Sequence, residues 1–432
     1  MANPAEGSWD SPIAYSVRAQ DLDISFAGNG SEAESDEPTN ARGYEIDIPR
    51  GPAYAVPGQP SYIPEANMTD RILGRGDETA NLVQVNCVSP PTSVASRRAF
   101  LKTAGALGVS AMLPETGLIA QDTSSTSAPK NGRIDVHNHL TPPILLQTVG
   151  AEALGGFAKW TPEKALQAME ESGVSTAMAS VPPHYDPSTV DRIARGCNEY
   201  AARLAADHPG RFGVFAFLPM PHIDVTLHEI EYAFDTLKAD GVGLYTNYGD
   251  KWLGDSLFNP VFEELNRRKA VVFTHPITAN CCKDLIPGIN DGAIEWQTDT
   301  TRAIAQMIFG GAQERYPNVR VIFSHGGGTM PFLIERFTGM ARSPKFAAKF
   351  PQGFGAAAAK FYYDTAQVSN PPAMSALTKV VPISQIVFGT DYPARSIADH
   401  VKGLNECGVL SAQDLQKINR ENALALIPRF NT

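Results

Sequence analysis

His137 and His139 stand one residue apart in the stretch RIDVHNHL, which runs from Arg133 to Leu140. Ile134 and Val136 before them alternate as the residues of a buried strand do, and side chains two apart in a strand share a face. Two imidazoles on one face near a strand end can hold a single metal ion. A lone His-x-His is also met as a structural pair, so the chemistry depends on whether the chain supplies further ligands.

Such groups occur at the ends of other short apolar runs. AVVFTHP (270–276) ends in His275, VRVIFSH (319–325) in His325 and QIVFGTD (385–391) in Asp391. FYYDTA (361–366) carries Asp364, and GVGLYT (241–246) leads into Asn247. Together with RIDVH, VSTAMAS (174–180) and FGVFAFLP (212–219), these make eight strand-like runs. His208, His222 and His228 lie elsewhere, as chance placement would have them.

The segments between the runs have helical features. Thr161-Pro162, Asp186-Pro187, Asn259-Pro260 and Asn370-Pro371 each join an N-cap type to a proline suited to the first helical position. TTRAIAQMIFGGAQERY puts Ile304, Met307, Ile308 and Ala312 on one helical face. Eight strands alternating with helices in about 300 residues predict an α/β chain folded as a (β/α)8 TIM barrel. An open doubly wound sheet is the alternative, but no GxGxxG follows the first run, which removes its usual dinucleotide-binding form. In such a barrel the polar strand ends converge on one face, where catalysis takes place.

Outside the barrel the sequence changes character. Residues 1–95 are rich in Pro, Gly, Ser, Asn and acids and read as a disordered extension. Of the net charge of −10, residues 1–67 carry −8, so the barrel is nearly neutral and a nucleic-acid partner is not expected. The segment 96–128 opens with SRRAFLK and a weakly apolar stretch from Thr103 to Leu113, the pattern of a twin-arginine export signal followed by a polar linker. The expectations are use of the twin-arginine translocation machinery, cleavage between about Ala120 and Ala128, and a periplasmic or exported product; a cytoplasmic protein is the alternative if the signal does not work. Met68 as the true start would give a leader of ordinary length. No apolar run is long enough to span a membrane. The five cysteines, at 87, 197, 281, 282 and 407, form no CxxC, and the adjacent Cys281 and Cys282 do not suggest a disulfide framework, so reduced thiols are expected.

RIDVHNH, FTHP, FSHGGG and FGTDYP, in this order and spacing, resemble the amidohydrolase-related decarboxylases. That family is typified by aminocarboxymuconate-semialdehyde decarboxylase and includes γ-resorcylate and 6-methylsalicylate decarboxylases. WQTDTTRAIAQMIFGGAQERYPNVRVIFSHGGGTMPFLIERF is similar to the same group, and the resemblance spans residues 133–430. It implies a barrel of the metal-dependent hydrolase type and a homodimer. It also implies one divalent metal held by His137, His139, His275 and Asp391, with His325 as the catalytic histidine. Some members acting on aromatic acids have Glu where His137 stands, and this chain departs from them there.

Three neutral nitrogens and a carboxylate leave a coordination position open, which suits zinc, with manganese the alternative. Strand 4 ends in Leu244-Tyr245-Thr246 without the lysine that bridges two metals elsewhere in the superfamily, which favours a single ion. Other roles remain open. His325 is alternatively a positioning group or a fifth ligand, and Asp391 alternatively a helix cap. Arg302 would pair with a substrate carboxylate or be a solvated helix residue. Trp296 and Tyr248 would wall the pocket or pack in the core. Gly326 to Gly328 would let substrate approach closely or form a plain turn.

The expected activity is metal-dependent, non-oxidative decarboxylation of a small aromatic or unsaturated carboxylic acid, salicylate-like or aminocarboxymuconate-semialdehyde-like. Asp391 or His325 would deliver the proton. A lactone or ester hydrolase on the same barrel is the alternative, and a non-catalytic binding barrel the third.

Overall fold

The computed structural model describes residues 132–184 and 186–431. The acidic extension, the twin-arginine segment, the linker and the Met68 start lie outside those residues. Among the described residues no helix is long and apolar enough to cross a membrane.

Eight parallel strands run in sequence order: β1 (Arg133–His139), β2 (Val174–Ser180), β3 (Phe212–Phe217), β4 (Gly241–Tyr245), β5 (Val271–His275), β6 (Arg320–Phe323), β7 (Tyr362–Asp364) and β8 (Ile386–Val387). Each coincides with one of the eight runs expected from the sequence. The sheet closes on itself: Val136 N–H donates to Phe388 O at 2.9 Å, Asp391 N–H to His137 O at 2.8 Å and His139 N–H to Tyr392 O at 2.8 Å. Helices alternate with the strands, giving the (β/α)8 barrel.

Inward side chains fill the barrel rather than leaving a pore, as such barrels require. Ile134, Val136, Met178, Phe215, Val271, Phe273, Ile322 and Val387 pack together, and Leu426, Ile427 and Phe430 of the C-terminal segment join them. Phe215 and Phe273 stack at 5.5 Å, and Phe273 meets the ring of His137 edge-on at 4.9 Å. The metal-ligand types of β1 therefore sit on an apolar floor.

Some local expectations shift. Thr161 and Asn370 do cap helices, at Pro162–Glu171 and Pro371–Val380. Asp186 instead closes a turn onto Ser188, and its helix starts at Val190. Asn259 is itself the first residue of the helix Asn259–Arg267, directly after the short turn Ser256–Phe258 that Asp255 caps, so neither Asp186 nor Asn259 is the cap its proline suggested. Ile304, Met307, Ile308 and Ala312 are all buried, but Gly311, at φ 77°, ends the helix Glu295–Phe309 and places Ala312 in a separate turn. Cys281 and Cys282 form a disulfide between neighbours, contrary to the expected reduced thiols; reading the chain for spaced pairs does not detect a bond between adjacent residues. Cys197 and Cys407 are buried and free.

Candidate metal centre and active site

Five side chains from four strand ends meet above the apolar floor. His137 Nε2 lies 3.2 Å from His139 Nε2 and 3.2 Å from Asp391 Oδ1. His139 Nε2 is 3.1 Å from the same oxygen and His275 Nε2 3.9 Å. Two donors each about 2.1 Å from one ion sit about 3.0 Å apart at a right angle and about 3.4 Å apart at a tetrahedral one. The spacings among His137, His139 and Asp391 fall in that range, as for atoms that share a cation, while His275 stands somewhat wider at 3.9 Å.

The three imidazoles are turned for that task by what holds their other nitrogen. His137 Nδ1 donates to Asp364 Oδ2 at 2.7 Å, His139 Nδ1 to Val181 O at 3.1 Å and His275 Nδ1 to Pro276 O at 2.8 Å. With the proton on Nδ1, each Nε2 directs a lone pair inward, the arrangement seen when a partner fixes the tautomer of a metal-ligating histidine. His275 Nε2 is buried and has no hydrogen-bond partner among the described residues, a costly condition that a cation would relieve.

His325 differs. Its Nε2 lies 3.4 Å from Asp391 Oδ2, the oxygen turned away from the other three histidines, and its Nδ1 is buried without a partner among the described residues. By mutual distance His325 groups with His137, His275 and Asp391, whereas His139 falls outside that group. We give His139 the stronger claim as a ligand, because it approaches the shared oxygen Oδ1 at 3.1 Å and its tautomer is fixed. The buried cluster can hold a divalent cation, with His325 beside it.

Electrostatics agree with this fit. Burial opposes ionisation of Asp391, but His137 and the hydrogen bonds from the histidines hold its carboxyl well below the usual range. Asp364 is likewise held low against burial, chiefly by His137. Burial lowers His139, and lowers His275 to about 3. Burial disfavours the charged form of His137 too, yet Asp364 and Asp391 outweigh it and raise its pKa to about 10. Without a cation, then, the cluster answers its two carboxylates by protonating His137. A divalent ion would answer them in full and take the place of that proton.

The backbone is shaped around the cluster. Asp135, fully buried on β1, accepts hydrogen bonds from Thr390 Oγ1 at 2.6 Å and Thr390 N–H at 3.0 Å, tying the segment that carries Asp391 to the strand that carries His137. Burial pushes its pKa up to about 6, opposed by those bonds. A Cβ on Gly389 would come within 2.8 Å of His137 Cβ and 2.9 Å of Asp364 Cβ, so only glycine passes between them. His325 and Asp391 both have left-handed φ, at 55° and 66°, an uncommon state for a non-glycine residue.

The remaining sequence candidates fall into two groups. Trp296 meets His275 edge-on at 5.6 Å and donates from Nε1 to Thr278 Oγ1, forming a wall of the site; Phe157 meets His139 at 5.4 Å in the same way. Asn247, Tyr248 and Arg302 stand further back. Asn247 Nδ2 donates to Ile277 O and Asp299 Oδ2, and Tyr248 OH accepts from Tyr245 N–H. Arg302 lies 3.7 Å from Glu295 and 4.0 Å from Asp299, over the ring of Trp252. Asp299 gathers Thr246, Asn247 and Trp252 into one buried network, and it was not among the sequence candidates. Gln367 was also missed: its Nε2 donates to Asp391 Oδ2.

Comparison with known proteins agrees with this architecture. The family described as Amidohydrolase matches residues 134–429. The decarboxylase yanB of Aspergillus niger is 35% identical over 323 residues, covering 69% of this chain and 88% of that protein. The 6-methylsalicylic acid decarboxylase of Penicillium expansum is 34% identical over 319 residues, covering 69% and 97%. A solved dihydroxybenzoic acid decarboxylase of a Polaromonas species, with bound manganese and 2-nitroresorcinol, superposes with a TM-score of 0.58 at 19% identity over 70% of this chain and 98% of the other, a likeness of fold. This chain belongs to the amidohydrolase family.

Proposed function

We propose that this member of the amidohydrolase family is a metal-dependent, non-oxidative decarboxylase of a small aromatic carboxylic acid, salicylate-like in form. The observation that carries the reading is the division of labour on Asp391: Oδ1 faces His137, His139 and His275, while Oδ2 faces His325. One carboxylate thereby joins a cation site to a group able to carry a proton. The names of the yanB and 6-methylsalicylate relatives support the same reaction.

His137, His139, His275 and Asp391 would hold the ion, which when bound supplies positive charge to a substrate carboxylate and a neighbouring oxygen. We assign zinc from the three-nitrogen, one-oxygen set, with manganese the alternative because a fold relative carries it. His325 and Asp391 Oδ2 then manage the proton. One of them delivers it to the carbon that bears the carboxylate, the carbon–carbon bond breaks, its electron pair returns to the ring, and CO2 leaves. His325 suits this task because neither of its nitrogens has a strong fixed partner. Trp296, Phe157 and the floor at Phe273 exclude water from the reacting carbon. Arg302, Asn247 and Tyr248 support the wall through the Asp299 network and the strand-4 end, from which Arg302 would act on a substrate carboxylate.

The test is CO2 release into the headspace from metal-loaded protein given a panel of hydroxybenzoates, set against acid release from lactones and esters. CO2 from a hydroxybenzoate supports the reading, whereas acid release without CO2 places the chain among the hydrolases. We further propose a homodimer, for which exposed Phe332 and Met340 offer apolar surface, and export through the twin-arginine route.

A further inference from the structure

Two glycines on β4 face the barrel interior. Gly241 pairs with Phe215 of β3, and Gly243 pairs with Phe217 of β3 and Phe273 of β5, so both lie on the inward side with those rings. The space a side chain would take at Gly241 is already filled, because a Cβ there would come within 2.4 Å of Val271 O and 3.1 Å of the Phe215 ring. At Gly243 the space is open. A Cβ there would meet nothing nearer than 3.9 Å, an ordinary contact. Gly243 is also the one residue of β4 that keeps some exposure, although it stands mid-strand. It has no left-handed φ that would call for glycine. A glycine inside a strand weakens it and often marks a place where a ligand approaches closely.

The result is a small cavity over Gly243, about 10 Å³ to the centre of a water-sized sphere, room for one methyl-sized group. Val181, Phe215, Phe217, Phe273 and Tyr245 wall it, and His275 stands at the end nearest the metal cluster. His139 is next to it, since its Nδ1 donates to Val181 O. The hydroxyls of the wall are committed elsewhere: Tyr245 OH lies against Pro182 O at 2.9 Å and His184 O at 3.0 Å, and Ser180 Oγ donates to Asn138 O at 3.3 Å. The cavity belongs to β2, β3, β4 and β5, whereas His325 and Asp391 rise beyond the ends of β6 and β8. A closed sheet in sequence order sets β2 to β4 across the mouth from β6 to β8.

We propose that this cavity is a subsite for a methyl-sized apolar substituent on the ring of the substrate, and that Gly243 sets the preference for it. The inference rests on the decarboxylase reading above. A ring whose carboxylate-bearing carbon lies at His325 and Asp391 Oδ2 turns its other edge across the mouth, towards β3 and β4. A methyl on that edge leaves water for a pocket of aromatic carbon. A hydroxyl in its place gives up its water without finding a partner. A bulkier group runs into Phe217 and Tyr245, and the hydroxyl of Tyr245 pins that ring.

The probes are 2-nitrophenol and its methyl and tert-butyl derivatives at each open ring position; the nitro group stands for a carboxylate that cannot leave. Metal-loaded wild type and Gly243→Ala are titrated by calorimetry, which reads affinity without turnover. We expect one methyl position to raise wild-type affinity about ten-fold over the unsubstituted ring, and tert-butyl at that position to abolish the gain. In Gly243→Ala the new methyl occupies the cavity, and the ratio of methylated to unsubstituted probe should fall to within about twofold of one. The variant should melt at or above the wild-type temperature, because its Cβ fills a void and restricts the unfolded chain. Absence of a gain at every methyl position in wild type overturns the proposal, and so does a gain that survives in Gly243→Ala. A variant that melts below wild type shows that no space stood open at Gly243, and overturns it too. Headspace CO2 from methylated hydroxybenzoates with the same preparations tests the reaction separately: a Gly243-dependent methyl preference without CO2 sinks the decarboxylase reading and leaves the subsite standing.

Discussion

Asp364→Asn should weaken metal binding although Asp364 touches no metal. Asp364 Oδ1 accepts two backbone N–H groups, from His325 at 2.8 Å and Ala366 at 3.0 Å, while Oδ2 accepts from His137 Nδ1 at 2.7 Å. Asparagine has one acceptor oxygen. Two backbone donors hold it on the Oδ1 side, so the amide N–H2 turns toward His137 Nδ1. Two donors cannot face each other, and His137 must move its proton to Nε2. That atom points at His139 Nε2 and Asp391 Oδ1, each 3.2 Å away, and with a proton on it His137 no longer ligates. Loss of such an orienting partner costs about ten- to a hundred-fold in metal affinity, roughly 1.4–2.7 kcal/mol. The lost negative charge acts in the same direction. Competition with a chromophoric chelator reads the affinity, and circular dichroism reads the fold. A folded Asp364→Asn protein that binds metal within about twofold of wild type would refute the tautomer argument.

Three further outcomes follow from the same geometry. His325→Asn should retain the metal and lose most turnover, since His325 faces Oδ2 and not Oδ1; a metal-free variant by elemental analysis would make His325 a ligand. Metal binding near pH 8 should release about one proton, because His137, raised to about 10, is charged in the metal-free protein while His139 and His275 are neutral. By the same sign, the stability that protonated His137 gives the metal-free form is whole below its ordinary 6.5 and is lost as pH rises through about 10, so calorimetry in buffers of different ionisation heat and melting against pH should agree. Arg97→Lys together with Arg98→Lys should retain the protein in the cytoplasm while wild type is exported and trimmed before about residue 129; fractionation with N-terminal sequencing checks it, and an untrimmed cytoplasmic wild type would count against the signal.

The strand ends were legible in the sequence because each run closes on a polar residue, and a parallel barrel gathers such ends on one face. His137, His139, His275, His325 and Asp391 meet for that reason. What was not legible depends on contacts across the barrel. The bond from His137 to Asp364 joins residues 227 apart, and no spacing rule announces it. Gln367 sits in a loop where a left-handed φ turns it inward, and glutamine carries no sequence mark of that state. Arg302 was more readable than it was read: Asp299 precedes it by three residues and Glu295 by seven, so one helical face already placed acids beside it. The adjacent cysteines and the prolines after Asp186 and Asn259 show the reverse, local patterns whose ordinary meaning the surrounding chain replaced.

The central claim is that a proton replaces a carboxylate at a metal-dependent site. The most direct measurement is turnover of a hydroxybenzoate in D2O by metal-loaded protein, with and without chelator, followed by mass and NMR analysis of the product. The account predicts a phenol bearing one deuterium at the carbon that held the carboxylate, formed together with CO2 and abolished by the chelator. A product that keeps its carboxylate, or decarboxylation undiminished after the metal is removed, would contradict it.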